Sequence, residues 1–235
     1  ESCLRHQKNM VTTSYISPQM QTLDNKARQT GIIILNEIGE DPGIDHMVAK
    51  KMIDDVTQEG GKIVSLISYG AGLPAFEFNR NPFGYKFSWS PRGVMLAAQA
   101  SAAYLNEGKR INVPSEKLFE HHWLVDIEGL GTFETYPNRD STRYASYFGL
   151  VEDNLTLYRG LLRFIGWCNT MQAFIKLNLL EGGQQKNFEN MTFRDFTASL
   201  IGVESYGRIK IDLANYLNLG EKDDTIKRIE GLGFF

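Results

Sequence analysis

Apolar residues in the first quarter of the chain switch between strand-like and helix-like spacing. Runs rich in β-branched residues predict strands over residues 10–16 and 31–35, with a helix over about 20–29 between them. Apolar side chains at helical spacing then predict a helix over 44–56. Alternating strands and helices are typical of an open α/β sheet. Because no strand precedes residue 10, we expect this segment to be the end of a sheet that begins outside the chain.

The middle of the chain favours a mixed sheet, and its last part favours helices. Strands are predicted over 62–69, 131–136 and 156–164, and an Ala-rich segment opened by Ser90 and Pro91 predicts a helix over 91–105. From Gly166 onward the apolar spacing is helical, which predicts three helices, over 171–180, 193–201 and 209–217. The fold class predicted from these patterns is α/β, with a small helical subdomain at the end.

Composition and charge exclude several classes of function. The 235 residues are 42% hydrophobic, which is enough for a sizeable core. The formal charge is −3 and the 25 lysines and arginines are scattered, so we expect no nucleic acid partner. The longest apolar runs fall far short of the roughly 20 residues that span a bilayer, and the N-terminus lacks a signal pattern. We therefore expect no membrane partner and a cytoplasmic location.

Cysteine and histidine spacing gives no sign of a metal site or a disulfide framework. Cys3 and Cys168 are the two cysteines, they lie far apart, and neither belongs to a CxxC pair. The neighbours His121 and His122 point apart in a helix or a strand, so we expect them to be surface residues.

Residues 36–47 place several ionisable groups on the loop between a predicted strand and a predicted helix, where open α/β sheets keep their chemistry. Pro42 disfavours a helical conformation at Asp41 and suits the first turn of the next helix. Asp41 is therefore predicted near the N-cap, facing free backbone N–H groups and the cleft. The alternative is an ordinary capping aspartate.

Cationic groups recur in loops that are rich in aromatic residues and glycine. Residues 85–93 carry Lys86 and Arg92 before a helix, and Arg139, Arg159 and Arg163 lie near predicted strand ends. Arginine binds carboxylates at two points, so this set predicts a substrate with several carboxylates or phosphates. The alternative for each residue is a surface salt bridge. The G-x-G-x-x-A spacing over 70–75 is a weak signal, because Pro74 and the residues after it do not continue as a helix.

Four long motifs resemble, in order and spacing, those of the saccharopine dehydrogenase family of the NADP-dependent, glutamate-forming type. They lie within residues 8–166, at Val11–Pro18, Asn36–Met47, Asn81–Gly93 and Tyr136–Ser141. The resemblance implies three parts: the C-terminal part of a Rossmann nucleotide-binding domain over 1–43, a mixed-sheet α/β catalytic domain over 44–166, and part of a helical subdomain over 167–235. The helical part resembles the family more weakly.

The resemblance implies an oxidoreductase of lysine metabolism. Such an enzyme oxidises saccharopine with NADP to an imine, which takes up water and separates into glutamate and aminoadipate semialdehyde; the reverse is a reductive condensation. Saccharopine carries three carboxylates, in agreement with the arginine-rich loops. Since the family's glycine-rich phosphate loop would lie upstream, we expect this chain alone to bind NADP poorly. A homodimer is also expected.

The resemblance implies a role for each residue that matches a family motif. Asp41 is the predicted acid–base group. The predicted cofactor contacts are Glu40, Asp41, Pro42 and Ser90, and the predicted substrate contacts are Ser14, Tyr15, Arg139, Leu161, Leu162 and Arg163.

Three departures from the family pattern leave the substrate open. Gly70 and Ala71 replace the usual Cys-Gly, Leu161 replaces a threonine, and Glu40 adds a charge in place of a leucine. One alternative is a relative that acts on another carboxylated amine, such as carboxynorspermidine. Another is a binding or dimerisation module that has kept the fold and lost the chemistry.

Overall fold

The computed structural model describes residues 1–150, 153–180 and 187–235. The chain begins with helix α1 (Ser2–Arg5), followed by strand β1 (Met10–Val11), helices α2 (Pro18–Gln21) and α3 (Asp24–Thr30), and strand β2 (Ile34–Leu35). β1 and β2 pair in parallel as a two-stranded sheet. The predicted strands exist but are shorter than predicted, and the single predicted helix is two helices.

Helix α4 (Ile44–Gln58) follows β2 and is close to its predicted span. It buries Ala49 and Ile53, whereas the longer apolar residues of the predicted stripe are exposed. Met47 and Met52, for example, are 57% and 60% exposed. The apolar spacing therefore predicted the helix correctly but not the face that the helix buries.

The larger sheet has six strands and contains both parallel and antiparallel pairs. It consists of β3 (Ser65–Gly70), β4 (Ala102–Asn106), β5 (Lys109–Val113), β6 (Trp123–Ile127), β7 (Gly131–Pro137) and β8 (Thr156–Arg163). The order is β5-β4-β8-β7-β6, and β3 pairs in parallel with β8 while the other pairs are antiparallel. The mixed α/β class predicted from the sequence is confirmed.

Helix α5 (Pro91–Ala97) starts as predicted but ends early, because β4 occupies the second half of the predicted helix. Helix α6 (Arg143–Phe148) precedes β8. The chain then forms α7 (Trp167–Lys176), α8 (Phe193–Ile201), α9 (Ile209–Leu217) and α10 (Asp224–Gly231). α8 and α9 have their predicted bounds, and α7 starts four residues before its predicted start at 171.

The main core lies between the large sheet and the C-terminal helices. It includes Phe119, Tyr136, Trp167, Met171 and Leu213, all nearly inaccessible to solvent. A second cluster packs α6 against the strands around Leu157. Across the described part of the chain, no helix has both the length and the apolarity needed to cross a membrane. The sheet is therefore fixed by helices, and its strand ends are left to form a site.

Candidate active site

A cavity of about 730 Å³ lies between the loops after β1 and β2 and the C-terminal ends of β3, β7 and β8. The loop after β1 contributes Ser14 and Tyr15 to its wall, and the loop after β2 contributes Glu40, Asp41 and Pro42. β1 and β2 are parallel, so both loops lie at their carboxyl ends, where open α/β sheets bind ligands. The cavity thus spans the boundary between the small sheet and the large one.

Asp41 is the most highly connected acidic group at the cavity wall. Its carboxylate accepts hydrogen bonds from the Tyr15 hydroxyl at 3.0 Å and from Asn138 Nδ2 at 2.9 Å. It also forms an ion pair with Arg159. The prediction that Asp41 faces free backbone N–H groups near the N-cap is wrong. Gly43 is the N-cap of α4, and its N–H donates to Asp45 at 2.7 Å. The Asp41 carboxylate instead contacts three side-chain donors, one of which is charged.

Tyr15 remains a hydrogen-bond donor at neutral pH. Burial raises the pKa of its hydroxyl, and the negative charge of Asp41 raises it further, while Arg159 acts in the opposite direction. The phenol therefore keeps its proton and donates a hydrogen bond to Asp41. It cannot serve as a general base near neutral pH.

A second polar cluster surrounds the first turn of α4. Arg143 pairs with Glu37 at 3.2 Å, and Arg159 pairs with Asp45 at 2.7 Å. His46 lies 3.4 Å from Glu37 and 3.3 Å from Asp45. These contacts connect the segment around β2 and α4 to α6 and β8.

Arg163, at the end of β8, is a buried guanidinium that lines the cavity. Its centre lies 5.2 Å from the Tyr85 ring, 5.9 Å from the Tyr136 ring and 5.1 Å from the Trp167 ring. One of its N–H groups donates to the Leu162 carbonyl at 2.7 Å. Among the residues that the structure describes, no carboxylate lies within ion-pair distance of Arg163. A buried guanidinium that has no carboxylate partner among the described residues is suited to bind an anion from the cavity.

Arg139 is an exposed arginine on the wall of the same cavity. Its backbone has a left-handed φ of 57°. It also lacks an ion pair within the described ranges. The cavity thus brings together the two arginines that the sequence proposed as carboxylate ligands.

The other predicted site residues divide into two groups. Ser14, Glu40, Pro42 and Leu161 line the cavity. Leu162 and Ser90 do not. Leu162 is buried on the opposite face of β8 from Leu161 and Arg163, as the alternation of a strand requires. Ser90 is the N-cap of α5, and its hydroxyl accepts a hydrogen bond from Gly93 N–H at 3.0 Å.

Sequence reasoning missed two residues of this region and misjudged the role of a third. Asn138 stands directly before Arg139 and binds Asp41, and Trp167 lies beside Arg163. Arg159 was grouped with the candidate substrate ligands, but it points to Asp41 and Asp45 and does not line the cavity. Contacts across 97 and 118 residues of sequence have no local signal.

His121 and His122, predicted to be surface residues, are partly buried, and each has a hydrogen-bond partner. His121 Nε2 lies 3.0 Å from the Tyr104 hydroxyl, and His122 Nδ1 lies 2.6 Å from the Phe119 carbonyl oxygen. His122, Glu134 and Cys168 bring potential metal-ligand atoms within 4.8 Å of one another. Both oxygens of Glu134 accept backbone hydrogen bonds, from Gly166 N–H at 2.7 Å and Cys168 N–H at 2.8 Å. Glu134 therefore caps the start of α7.

Comparison with known proteins agrees with the family resemblance of the motifs. The sequence profile of the saccharopine dehydrogenase C-terminal domain matches residues 39–224. The chain belongs to this family. The matched range includes Asp41, Arg139 and Arg163, and it continues well into the helical part, beyond the range over which the motifs were recognised.

Individual saccharopine dehydrogenases extend the match to the whole chain. The NADP⁺, L-glutamate-forming enzyme of Pyricularia oryzae is 41% identical over 242 residues, covering 100% of this chain and 53% of that relative. The mitochondrial alpha-aminoadipic semialdehyde synthase of Bos taurus is 35% identical, covering 99% of this chain and 26% of that protein. The apo L-Glu-forming saccharopine dehydrogenase of Saccharomyces cerevisiae superposes with a TM-score of 0.81 at 36% identity, over 99% of this chain and 54% of the yeast chain. The chain spans about half the length of the saccharopine dehydrogenases that it matches.

Proposed function

We propose that the complete protein oxidises saccharopine with NADP and releases glutamate and aminoadipate semialdehyde, or catalyses the reverse condensation. Two relatives in the comparison carry the name of this activity or of a lysine-pathway semialdehyde synthase. Because this chain spans about half of the saccharopine dehydrogenases, the activity belongs to the whole protein. This chain supplies the substrate cavity.

The observation that carries the proposal is the presence of Arg139 and Arg163 in one cavity, neither of them paired with a carboxylate in the part of the chain described here. Burying a guanidinium without a counter-ion costs free energy, and a substrate carboxylate removes that cost. Three aromatic rings keep Arg163 in a fixed orientation. A substrate with several carboxylates satisfies both arginines.

The charge of the cavity wall changes along its length. Glu40 and Asp41 lie on the loop after β2, whereas Arg163 lies at the end of β8. Saccharopine has a secondary amine between its carboxylates, so the acidic loop suits the amine and the arginines suit the carboxylates. This polarity orients the reacting carbon toward the loop after β2.

The residues on the loop side of the cavity fit the reactive end of a nicotinamide cofactor. Ser14 and Ser88 offer hydroxyl groups to the cavity, and Trp89 also lines it. Gly39 allows the loops after β1 and β2 to pack closely at this end of the cavity, since a Cβ at this position would lie 3.1 Å from Thr13 Cβ. The chemistry that NADP supplies when bound is the acceptance of a hydride. Glu40, Asp41 and Pro42 are the proposed contacts, and Ser90 stays a prediction.

Of the two carboxylates that line the cavity from the loop after β2, Glu40 and Asp41, Asp41 is the proposed acid–base group. Tyr15 and Asn138 donate to it and so fix its orientation. The proton that leaves when water adds to the imine passes to Asp41 or to a water molecule bound by it. Cytoplasmic location and a homodimer also remain predictions.

An assay of the complete protein tests the proposal. Saccharopine with NADP should give one glutamate per NADPH formed, and saccharopine with NAD serves as the nucleotide control. Turnover of carboxynorspermidine but not saccharopine would support the related amine dehydrogenase. No turnover of either amine, by a protein that still binds NADP, would support a non-catalytic module.

A further inference from the structure

Tyr136, near the end of β7, is a buried tyrosine on the wall of the cavity. In the antiparallel register of β7 and β8, Tyr136 lies opposite Leu161, which is two residues before Arg163. Side chains two residues apart on a strand share one face, and so do side chains directly opposite each other on paired strands. Tyr136, Leu161 and Arg163 therefore lie on the same face of the sheet, and all three line the cavity.

Arg163 does not offer all of its N–H groups to an anion. One of them donates to the Leu162 carbonyl at 2.7 Å. Glu134 lies opposite Arg163 in the register, but its two oxygens accept hydrogen bonds from the N–H groups of Gly166 and Cys168. Because an ionised carboxylate has about four lone-pair sites, a guanidinium that is partly engaged with the main chain leaves some of these sites for other donors. A donor on the neighbouring strand can supply one.

The Tyr136 hydroxyl is suited to be that donor. Burial raises its pKa, Arg163 and Trp167 act to lower it, and the net direction is upward, so the phenol keeps its proton at neutral pH. The Arg163 guanidinium centre lies 5.9 Å from the Tyr136 ring. Neither a guanidinium nor an indole N–H can accept a hydrogen bond. Of the hydrogen bonds formed by the described residues, none runs from this hydroxyl to a protein acceptor, so its proton can be donated to a ligand in the cavity.

We propose that the Tyr136 hydroxyl donates a hydrogen bond to the substrate carboxylate that Arg163 binds, and that Tyr136 thereby determines specificity for a carboxylate at this position. This inference rests on the proposed function. Buried donors are left unpaired when a ligand lacks the group that they bind, and such a site rejects that ligand strongly. Tyr136 and Arg163 together therefore select against amines without this carboxylate.

The first part of the test measures kcat and both Michaelis constants for Tyr136→Phe in the complete protein. This substitution removes the hydroxyl oxygen and keeps the ring, which packs against Phe119. The KM for saccharopine should rise about tenfold, the loss expected for one hydrogen bond to a charged group. The contact is made equally in the ground state and the transition state, so kcat and the KM for NADP should change less than about twofold.

Tyr158→Phe is the matched control for the loss of a buried phenol. Tyr158 is as buried as Tyr136, its hydroxyl lies 3.1 Å from Thr135 Oγ1, and it does not line the cavity. The KM for saccharopine should change less than about twofold in this variant.

The second part uses three analogues of saccharopine, each with one carboxylate replaced by hydrogen. Tyr136→Phe and Arg163→Met should each raise the KM less than about twofold for one and the same analogue, because the group that they bind is absent from it. Both should keep their full effect on the other two analogues. For an analogue that is not turned over, its inhibition constant against saccharopine replaces the KM.

Three results would overturn the proposal: an unchanged KM for saccharopine in Tyr136→Phe, an equal rise for all three analogues, or different insensitive analogues for Tyr136→Phe and Arg163→Met. An equal rise for all analogues is the result that a merely structural role of Tyr136 predicts. Failure of the unmodified protein to oxidise saccharopine would instead refute the proposed function, on which this inference rests.

Discussion

The Asp45 carboxylate lies 2.7 Å from the guanidinium of Arg159, a residue 114 positions later in the chain. Asp45 is in the first turn of α4 and Arg159 is in β8, so this contact fixes the helix against the large sheet. The same Arg159 binds Asp41. Correct folding of the α4 start and correct placement of Asp41 therefore depend on one ion cluster.

Asp45→Asn should lower the free energy of unfolding by about 1–3 kcal/mol, because a buried hydrogen bond to a charged group is lost while Arg159 keeps Asp41. Urea unfolding measures the change. Asp55→Asn is the control: its partner Lys51 is in an exposed i,i+4 pair, so the expected loss is under about 0.5 kcal/mol. Equal losses in the two variants would show that the buried cluster contributes no more to the free energy of unfolding than the exposed ion pair does.

Gly43 is required where the loop turns into α4. Its φ is 153°, and a Cβ there would overlap the backbone of Gly39. Gly43→Ala should cost roughly 1–3 kcal/mol or more of stability from the overlap. Gly60→Ala separates overlap from backbone strain, because Gly60 has a φ of 79° but open space around it. Thermal unfolding of both variants should show the larger loss for Gly43→Ala; similar losses would argue against the overlap.

His46 should make stability depend on pH. Burial lowers its pKa; Asp45 acts to raise it and Arg159 to lower it, and the net direction is downward. Below about pH 6.5 His46 takes up a proton more readily in the unfolded chain than in the folded protein. The free energy of unfolding is therefore higher above that pH and decreases as the pH falls. When the pH is lowered from about 8 to about 5, the free energy of unfolding should therefore decrease less in His46→Gln than in the unmodified protein.

Urea midpoints at several pH values test this expectation, with exposed His6→Gln as the control for a histidine without a buried environment. A difference between unmodified protein and His46→Gln that stays constant with pH would contradict it.

Helices α8 and α9 were predicted with the correct bounds, whereas α6 and α10 were not predicted. Thr192 and Asp195 form a capping box at the start of α8, and Gly202 ends that helix in the left-handed conformation. Asn218 ends α9 in the same way. These signals are local, so one sequence is enough to find them.

Elements that depend on distant partners were not predicted correctly. The Ala-rich segment predicted as helix to 105 leaves the helix after Ala97 and forms strand β4 from Ala102, because this part pairs with β5 and is buried in the sheet. Glu107 and Gly108, both at positive φ, form the turn between these strands. This turn was not recognised in the sequence. Its two consecutive residues at positive φ are typical of a hairpin.

The candidate site was predicted only in part, because some of its contacts also join distant elements. Sequence motifs found Asp41, Arg139 and Arg163, which all line one cavity. They did not reveal that Arg159 forms ion pairs with Asp41 and Asp45, because these partners lie outside its own strand. Nor could they show that the ring of Trp167 packs over Arg163.

Arg139 should contribute to the KM for saccharopine. Asparagine is a better replacement for Arg139 than alanine, because asparagine tolerates the left-handed φ of 57° at this position. Loss of a charge-assisted contact at an exposed site should raise the KM for saccharopine about tenfold, at the low end of 1.5–3 kcal/mol. A KM for saccharopine that does not change in steady-state kinetics would remove Arg139 from the substrate site.

The most direct test of the proposed substrate cavity is the pair of Michaelis constants for Arg163→Met in the complete protein, compared with Arg28→Met, which removes an exposed arginine paired with Asp24. Methionine keeps apolar contact with the surrounding rings and removes the charge. We expect the KM for saccharopine to rise about 10- to 150-fold, corresponding to about 1.5–3 kcal/mol, and the KM for NADP to change less than about twofold. An equal rise in both constants, or no rise in either, would contradict the account.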